Sequence, residues 1–274
     1  MKILITGSSG YIGSHLTNLL MQEHEVHGLD IVGPKIEPHK FFDIDIRQPF
    51  ALIDEYDAVV HLAALMQVGE SVRIPTAYYD TNVGGTINAI RGIDTNNFIF
   101  ASTGAAARIG SCSSPYALSK RIGEDMVGEN IKRKGFTIFR FYNVVGQTVV
   151  PPTNPDGLMY NLLKSLNTKE FTIFGSDYNT KDGTCIRDYV HVEEICRAIE
   201  GAIINPSNRI ESLGHGVGYS VKEIVHTFQK VNNVKVNVTY SPRRSGDLES
   251  NVLDNVSTYM KKIYGIEELL KVNI

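Results

Sequence analysis

ILITGSSGYIG, residues 3–13, places three glycines directly after a run of apolar residues. The apolar run is typical of a buried strand, and the residues that follow have the pattern of a helix. At these glycines a Cβ atom would block a tight turn, the approach of a pyrophosphate to the backbone and close helix packing, while the helix N-terminus favours an anion. The stretch therefore predicts a dinucleotide-binding turn. The predicted binding residues are Gly7, Gly10, Tyr11, Ile12 and Gly13.

The next apolar run, EVHGLD, ends in the acid Asp30, which is followed by Ile31. An acid about 20 residues beyond the glycines can accept hydrogen bonds from both hydroxyls of the adenosine ribose. The same acid would repel the 2′-phosphate of NADP. The sequence therefore predicts NAD as the cofactor, with Asp30 and Ile31 beside it.

Apolar runs alternate with amphipathic stretches through the first half of the chain, as in KILIT, DAVVHLAA, FIFAST and TIFRFYNVVG. This order predicts an α/β fold with a Rossmann-type doubly wound parallel sheet, because parallel strands covered on both faces are continuously apolar. The pattern changes after Val150 and returns at RDYVHVEEICRAIEGAI. We assign residues 1–146 and 184–204 to the NAD-binding domain, and 147–183 and 205–274 to a smaller C-terminal substrate-binding lobe.

Composition excludes several classes of function. Lys and Arg total 27 against 30 Asp and Glu, a net charge of −3, so no overall positive field exists to bind a nucleic-acid backbone. No apolar run approaches the roughly 20 residues that span a bilayer, and the first residues do not resemble a signal peptide. We therefore expect no membrane association and a cytoplasmic location. The three cysteines have neither CxxC spacing nor an HExxH neighbour, which favours neither a disulfide framework nor a metal site.

Tyr116-Ala-Leu-Ser-Lys120 carries a second candidate for chemistry. On a helix, residues four apart lie on one face, so the Lys120 ammonium can approach the Tyr116 phenol. A nearby cation favours the tyrosinate, so we expect the pKa of Tyr116 to be lowered from its usual value near 10. This makes Tyr116 a candidate general base and acid.

The glycine spacing and the Tyr-x-x-x-Lys pair resemble the extended short-chain dehydrogenase/reductase superfamily. Longer blocks resemble its UDP-glucose 4-epimerase family, namely VVHLAALMQVGES (59–71), YYDTNVGGT (78–86), SPYALSK (114–120), FRFYNVVG (139–146), FTIFGSDYNTKDGTCIRDYVHV (171–192) and SPRRSGDL (241–248). The resemblance implies that UDP-glucose and UDP-galactose are interconverted by NAD-dependent oxidation at C4, rotation of the keto sugar and re-reduction. It also implies a homodimer formed through the helix that carries Tyr116, on which Leu118, Ile122, Met126 and Val127 lie roughly on one face.

The resemblance assigns further residues to the site. It makes Thr103 a catalytic partner of Tyr116 and Lys120, bridging substrate and phenol. The implied further cofactor contacts are Asp45, Ile46, Leu62, Ala63, Ala64, Met66, Thr81 or Asn82, and Tyr142. The implied substrate contacts are Thr103, Asn143, Thr172, Ile173, Phe174, Arg187, Arg244, Asp247 and Asn251. Two arginines suit a nucleotide diphosphate, and Asp247 suits a pair of ribose hydroxyls.

The sequence also departs from this family. Only fourteen residues separate Asp30 from Asp45, two of them proline, so we expect a loop in place of a helix there. Met66 stands where the family often has a lysine near the cofactor, and Gly157 where an asparagine contacts substrate. Asn251 stands where a tyrosine restricts some members to simple hexoses, which predicts that UDP-GlcNAc and UDP-GalNAc also fit.

Two alternatives remain open: another nucleotide-sugar epimerase or reductase of the same superfamily, and a non-catalytic dinucleotide-binding regulator. A 4,6-dehydratase is disfavoured because Gly104 and Ala105 follow Thr103, where that reaction needs an Asp-Glu pair. We expect His61 and His191, each beside an apolar strand, to be packed and neutral rather than catalytic.

Overall fold

The computed structural model describes residues 1–107, 112, 114–131, 135–244 and 246–272. Its strands are β1 (Lys2–Thr6), β2 (Glu25–Asp30), β3 (Lys40–Asp43), β4 (Glu55–Tyr56), β5 (Ala58–His61), β6 (Asp94–Thr95), β7 (Asn97–Thr103), β8 (Gly135–Phe141), β9 (Asn143–Val145), β10 (Glu170–Phe174), β11 (Ile186–His191), β12 (Arg209–Leu213), β13 (Gly218–Ser220), β14 (Asn237–Ser241) and β15 (Ser250–Asn251). Its α-helices are α1 (Tyr11–Leu20), α2 (Val68–Arg73), α3 (Pro75–Tyr79), α4 (Gly85–Gly92), α5 (Pro115–Asn130), α6 (Leu158–Thr168), α7 (Val192–Ile204), α8 (Val221–Val231) and α9 (Ile266–Leu270). A π-helical turn (Asp80–Gly84) precedes α4, and a 3₁₀ turn (Gly104–Ala107) follows β7.

The main sheet contains seven parallel strands in the order β12-β8-β7-β5-β1-β2-β3. The strand order reverses between β1 and β5. Ligands of such sheets bind in the crevice outside the carboxyl ends of the strands, at this reversal. The predicted Rossmann-type α/β fold is confirmed, and it locates the candidate site at the ends of β1, β5 and β7.

Both faces of this sheet are buried, which explains the continuous apolar runs. Ile3 and Val60 belong to a core that α1 and α7 cover, whereas Leu4, Val59 and Phe100 belong to a core that includes side chains of α4 and α5. Residues alternate between the two cores along each strand, as strand geometry requires. Within the described ranges, no helix combines the length and apolar character needed to cross a membrane.

A third core lies in the C-terminal half. It is formed by α6, α8 and α9 with the parallel pair β10–β14, and it includes Leu162, Phe171 and Phe228. A small sheet links the two halves, in which β11 pairs in parallel with β9 and β15 and antiparallel with β13. Because β9 follows β8 of the main sheet and β13 precedes α8 of the third core, this small sheet joins the two halves of the chain.

Three local expectations can be compared with these elements. Residues 31–39 contain no helix, so the predicted loop after β2 is confirmed. FRFYNVV was expected to be one strand but forms β8 and β9, which belong to different sheets and meet at Tyr142. The predicted domain boundary placed β12 in the second lobe, but β12 pairs with β8 at the edge of the main sheet. The boundary is wrong there because β12 is an edge strand, with Ile210 exposed, and so lacks a continuous apolar run.

Candidate active site

The glycine turn joins β1 to α1 in a conformation that side chains would prevent. Gly7 has a φ of +76°, and a Cβ on it would lie 2.6 Å from the backbone nitrogen of Ala63. A Cβ on Gly13 would lie 2.1 Å from the Gly7 carbonyl oxygen, to which Gly10 donates a backbone hydrogen bond of 3.1 Å. Gly10 caps α1 without a side-chain hydrogen bond. The first turn of α1 therefore presents backbone N–H groups over a cradle that fits a pyrophosphate.

Tyr11 and Ile12, at the start of α1, direct their side chains into the protein. The Tyr11 hydroxyl donates to the Gly146 carbonyl at 2.6 Å, and Ile12 packs on the core beneath the sheet. Burial raises the pKa of the Tyr11 phenol well above its usual range. The backbone of these residues, rather than their side chains, is thus the part suited to a cofactor.

Asp30 ends β2 beside the glycine turn. Its carboxylate accepts backbone hydrogen bonds from Ser9 at 3.0 Å, from Ile31 at 2.8 Å and from Val32 at 3.2 Å. These bonds hold the carboxylate at the carboxyl end of the sheet, where the adenosine ribose is expected. Ile31 is 60% exposed next to it. The glycine cradle and this acid together fit the adenosine half of NAD.

The loop after β5 lies on the other side of the glycine turn from Asp30, because β5 and β2 flank β1. Leu62 donates to the Thr6 carbonyl at 3.0 Å, and Ala63 and Ala64 follow it beside Gly7. Asn82 is buried beneath this loop: its Oδ1 accepts from the backbone of Leu65 at 2.8 Å, and its Nδ2 donates to the Leu65 carbonyl at 3.0 Å and to Ser119 Oγ at 2.9 Å. We expected Thr81 or Asn82 to face the dinucleotide. These bonds hold the Asn82 side chain against the loop after β5, so it cannot also face the dinucleotide. Thr81 is then the residue expected to face it.

The remaining predicted cofactor residues lie farther along the cleft. Asp45 forms an ion pair of 2.6 Å with Arg47, whose guanidinium lowers the pKa of that carboxyl. The side chain of Ile46 is buried in the core, against Gly85, so only its backbone can meet an adenine. Met66 is 46% exposed. The Tyr142 ring lies across Gly104, where a Cβ would come within 2.9 Å of it.

Thr103, Tyr116 and Lys120 are brought together at the end of β7. The phenol of Tyr116 is hydrogen bonded to the Thr103 hydroxyl. One turn further along α5, the Lys120 ammonium donates to the Ala101 carbonyl at 2.9 Å and lies 4.9 Å from the centre of the Phe100 ring. Tyr116 and Lys120 therefore share one face of α5, and Thr103 lies beside them at the carboxyl end of β7.

The electrostatics of this pair differ from our expectation. Burial raises the pKa of Tyr116 to about 12, although its bond with Thr103 acts in the opposite direction. Burial also lowers the pKa of Lys120 to about 7, and the charge of Glu124 opposes that change. The expected lowering of the Tyr116 pKa is wrong for this structure because desolvation dominates and the ammonium is bonded to a carbonyl. The phenol is therefore protonated before ligands bind.

His61 and His191 are packed, as predicted. His61 is fully buried, forms hydrogen bonds with Thr6 at 2.7 Å and Thr86 at 3.2 Å, and has a pKa lowered by burial to about 3. His191 caps α7 by accepting from the backbone of Glu193 at 3.2 Å. In the part of the chain that the structure describes, no group of three or more His, Cys, Asp or Glu residues is arranged to hold a metal ion.

The predicted substrate residues converge on the other side of the cleft. Arg187 on β11 approaches Asp247 at 3.6 Å and lies opposite Asn251 in the parallel pairing of β11 with β15. The Arg244 guanidinium lies 3.9 Å from the centre of the Phe174 ring and donates to the Asp156 carbonyl at 2.9 Å, just before the start of α6. Two cations, an acid, an amide and an aromatic ring are thus gathered from four separate segments.

Three other predicted substrate residues lie around this group. Thr172 is exposed on β10 and hydrogen bonded to Thr239 at 3.1 Å, and Asn143 donates to the Asp188 carbonyl at 2.9 Å. Ile173 points away from Thr172 into the core of the second lobe, where it is 1% exposed. Its side chain is therefore not placed to contact substrate, because strand alternation turns it inward.

Sequence reasoning missed one charged group beside the catalytic residues. Glu124 is buried one turn beyond Lys120, where it pairs with Arg140 at 2.6 Å and accepts a hydrogen bond of 2.5 Å from Ser102. The signal was available in the sequence, since Glu124 follows Lys120 at the same four-residue spacing that relates Lys120 to Tyr116.

A glycine cradle on a doubly wound sheet, with a Tyr-Lys pair and a threonine at its edge, defines a dinucleotide-dependent enzyme of the short-chain dehydrogenase/reductase class. The chain belongs to the NAD dependent epimerase/dehydratase family, whose model matches residues 3–213.

Several relatives of this chain are named UDP-glucose 4-epimerase. The chain is 33% identical to the UDP-glucose 4-epimerase of Haemophilus influenzae, over 90% of this chain and 88% of that protein. It is 34% identical to the UDP-glucose 4-epimerase of Lactobacillus helveticus, over 97% of this chain and 91% of that protein. The crystal structure of the Thermotoga maritima UDP-glucose 4-epimerase with UDP-glucose matches with a TM-score of 0.83 and 26% identity, and the match covers 98% of this chain and 96% of that one.

Proposed function

We propose that this chain is an NAD-dependent 4-epimerase of UDP-hexoses that interconverts UDP-glucose and UDP-galactose. One observation carries the proposal: Tyr116, Thr103 and Lys120 meet beside the glycine cradle, at the edge of the sheet. The relatives at 33% and 34% identity, both named UDP-glucose 4-epimerase, support it over nearly the whole chain.

The cradle of Gly7, Gly10 and Gly13 would hold the pyrophosphate of NAD, and Asp30 its adenosine ribose. The chemistry that NAD supplies when bound is reversible acceptance of hydride from the sugar C4, and its oxidised ring adds a positive charge to the site. A positive charge near a phenol favours the ionised form. The raised pKa of Tyr116 then keeps the proton on the phenol until both ligands are present.

The proton of the sugar 4-hydroxyl is moved by Tyr116. For this step the phenol must first give up its own proton to solvent, which the positive charge of bound NAD would favour. In the forward half of the reaction the ionised Tyr116 Oη takes the sugar proton, and in the reverse half it returns that proton to the 4-keto oxygen. Thr103, hydrogen bonded to the phenol, can bond the same sugar oxygen and orient it. Lys120 lies on the same face of α5, where its protonated form would favour the ionised phenol.

Inversion at C4 requires that either face of the sugar can be presented to the same groups. Binding strength therefore belongs at the nucleotide end, where Arg187 and Arg244 suit the diphosphate and Asp247 suits the ribose hydroxyls. On binding, Arg187 would exchange its contact with Asp247 for the ligand. Arg244 would likewise exchange its contacts with the Phe174 ring and the Asp156 carbonyl. The hexose is then weakly held and free to turn about its diphosphate linkage.

The range of sugars is proposed to include UDP-GlcNAc and UDP-GalNAc. Asn251, in β15, pairs with Arg187 of β11. Its side chain is smaller than the tyrosine that restricts some epimerases. A smaller side chain there leaves room for an acetamido group on the sugar.

A homodimer and a cytoplasmic location remain predictions. Leu118 on α5 is 41% exposed, and Val72 and Ile74 on the neighbouring α2–α3 segment are 48% and 46% exposed, which supports association through these helices. Val127 does not contribute to this surface, because it is buried in the protein's own core. Light scattering that gave the monomer mass of about 30 kDa at micromolar concentration would contradict the dimer.

The test is proton NMR of the purified protein with UDP-glucose and with UDP-GlcNAc, without and then with added NAD. We expect the anomeric signals of the corresponding galacto sugars to appear. The Tyr116→Phe variant should bind NAD but lose turnover. If the wild-type protein with NAD produced no new anomeric signals from either sugar, the proposal would be overturned. Bound NAD without turnover would indicate a regulator instead.

A further inference from the structure

Helix α5 is joined to the end of β7 by three side-chain contacts. Three side chains spaced four residues apart on one face of the helix each bond to one of three successive residues of the strand. The pairs are Tyr116 with Thr103, Lys120 with the Ala101 carbonyl, and Glu124 with Ser102. The two pairs that contain Tyr116 and Lys120 carry the proposed chemistry, and the third pair does not.

Glu124 is held more firmly than the other two. Its side chain is fully buried, and Oε1 accepts from Ser102 Oγ at 2.5 Å and from Arg140 Nε at 2.8 Å, while Oε2 accepts from the terminal Nη2 of Arg140 at 2.6 Å. The second arginine, Arg121, approaches Oε2 at 4.0 Å. Charge-assisted bonds of this two-pronged kind fix geometry as well as adding stability.

These bonds tie α5 to two strands at once. Ser102 on β7 lies opposite Arg140 on β8, and Thr103 is the next residue of β7. A shift of α5 along or away from the sheet would therefore stretch the Glu124 bonds together with the contact between Tyr116 and Thr103.

Glu124 also supplies the negative charge nearest to Lys120 on the helix. Burial lowers the pKa of Lys120, and the charge of Glu124 opposes this change. His61 on β5 also faces Lys120 but is kept neutral by burial, and Tyr116 is protonated. Arg140 on β8 is positive and is paired with Glu124.

We propose that Glu124 is a positioning residue for the epimerase. Through its bonds to Ser102 and Arg140, it fixes how far α5 lies from β7 and where along that strand it packs, and so places Tyr116 and Lys120. This inference rests on the proposed function. Glu124 touches neither of the proposed reacting groups, and its effect is exerted through α5 and through its charge.

The variant Glu124→Gln tests the inference because it keeps the shape and removes the charge. We expect kcat for UDP-glucose to fall by roughly tenfold to a hundredfold, with KM changed less than about twofold, because misplacement near the chemistry is costly while the nucleotide end is untouched. Ser102→Ala removes one bond and leaves the carboxylate, so its kcat should fall less. Glu124→Asp keeps the charge on a shorter side chain and serves if Glu124→Gln does not fold.

The second readout needs no turnover. Titration of ¹³Cε-labelled lysines by NMR should show one lysine that titrates near neutral pH, assigned by its loss in Lys120→Gln. In Glu124→Gln this titration should move to lower pH by roughly one unit, since a neighbouring negative charge is lost. Ser102→Ala should leave it in place.

Asp125→Asn is the matched control. Asp125 is the next residue of α5, is 70% exposed and also approaches Arg121, at 3.7 Å. If Glu124→Gln matched Asp125→Asn in both kcat and the lysine titration, the inference would be overturned. Failure of the wild-type protein to epimerise UDP-glucose would refute the proposed function instead, and the lysine titration would still decide whether Glu124 sets the charge state of Lys120.

Discussion

Replacing Gly123 with alanine tests how closely α5 must approach the sheet. Gly123 lies between Lys120 and Glu124 and packs on the Phe100 ring of β7, where an added Cβ would stand 2.5 Å from Cζ. The optimal separation of two carbon atoms is about 3.5–4.0 Å, so the helix and the ring must separate by about 1 Å. Phe100 is fully buried and stacks on the His61 ring with centroids 5.9 Å apart, so the ring has little room to retreat.

Two opposing terms set the effect on stability. Overpacking of this size costs about 1–3 kcal/mol, and replacing glycine by alanine inside a helix returns about 0.5–1 kcal/mol. The net loss is therefore about 1 kcal/mol, or a fall in Tm of about 2 °C for a chain of this length. The effect on catalysis should be larger, because displacing Tyr116 and Lys120 by about 1 Å costs about a hundredfold in kcat.

Gly128 provides the matched control on the same helix. A Cβ on Gly128 would meet no atom within 4 Å, so Gly128→Ala should stabilise the protein by about 0.5–1 kcal/mol and leave kcat unchanged. Both variants would be compared by thermal unfolding and by initial rates of UDP-glucose epimerisation. A Gly123→Ala protein as stable and as active as Gly128→Ala would refute the claim that close packing of α5 on Phe100 places the catalytic residues.

Three further predictions concern substrate and pH. Arg244→Ala should raise KM for UDP-glucose by roughly tenfold with a smaller change in kcat, since it removes a charge from the nucleotide end; an unchanged KM in initial-rate assays would contradict this role. Asn251→Tyr should lower the rate with UDP-GlcNAc relative to UDP-glucose, and an unchanged ratio by NMR would contradict the proposed sugar range. The unfolding free energy of the wild-type protein should rise relative to that of Lys120→Met as pH increases from about 7 toward 10.5, since the unfolded lysine keeps its proton over this interval while the folded one has lost it. Equal pH slopes in chemical denaturation would show that Lys120 is not desolvated.

The interior strands were predictable from sequence and the edges were not. β1, β5 and β7 are covered on both faces, so their residues are almost all apolar and their positions follow directly. β12 lies at the edge of the same sheet, where Arg209 and Ile210 are exposed, and its sequence has no comparable pattern. The break between β8 and β9 depends on pairing with β11, which is more than forty residues away in the chain. Local sequence does not contain that information.

The catalytic side of the site was also predictable, but its electrostatics were not. Tyr116 and Lys120 belong to one helix, so their spacing alone places them on one face. The direction of the pKa change in Tyr116 depends on how deeply the phenol is buried, and spacing carries no measure of burial. Arg187, Arg244 and Asp247 come from separate segments, and only the resemblance to a family connected them before the structure did.

Asp188 is a buried acid beside the site that sequence reasoning had no means to locate. Asp188 is fully buried next to Arg187, and its carboxylate accepts backbone hydrogen bonds from His215 at 2.9 Å, Gly216 at 2.8 Å and Leu253 at 3.3 Å. Burial raises the pKa of this carboxyl, and the three N–H groups oppose the change. Asp188 therefore holds β11 against two other segments, one residue from a proposed diphosphate ligand, just as Ser102 anchors Glu124 one residue from Thr103. Thr103 and Arg187, which are proposed to touch substrate, therefore each adjoin a residue that bonds to or carries a buried carboxylate. These bonds fix the two strands, β7 and β11, that present the substrate groups.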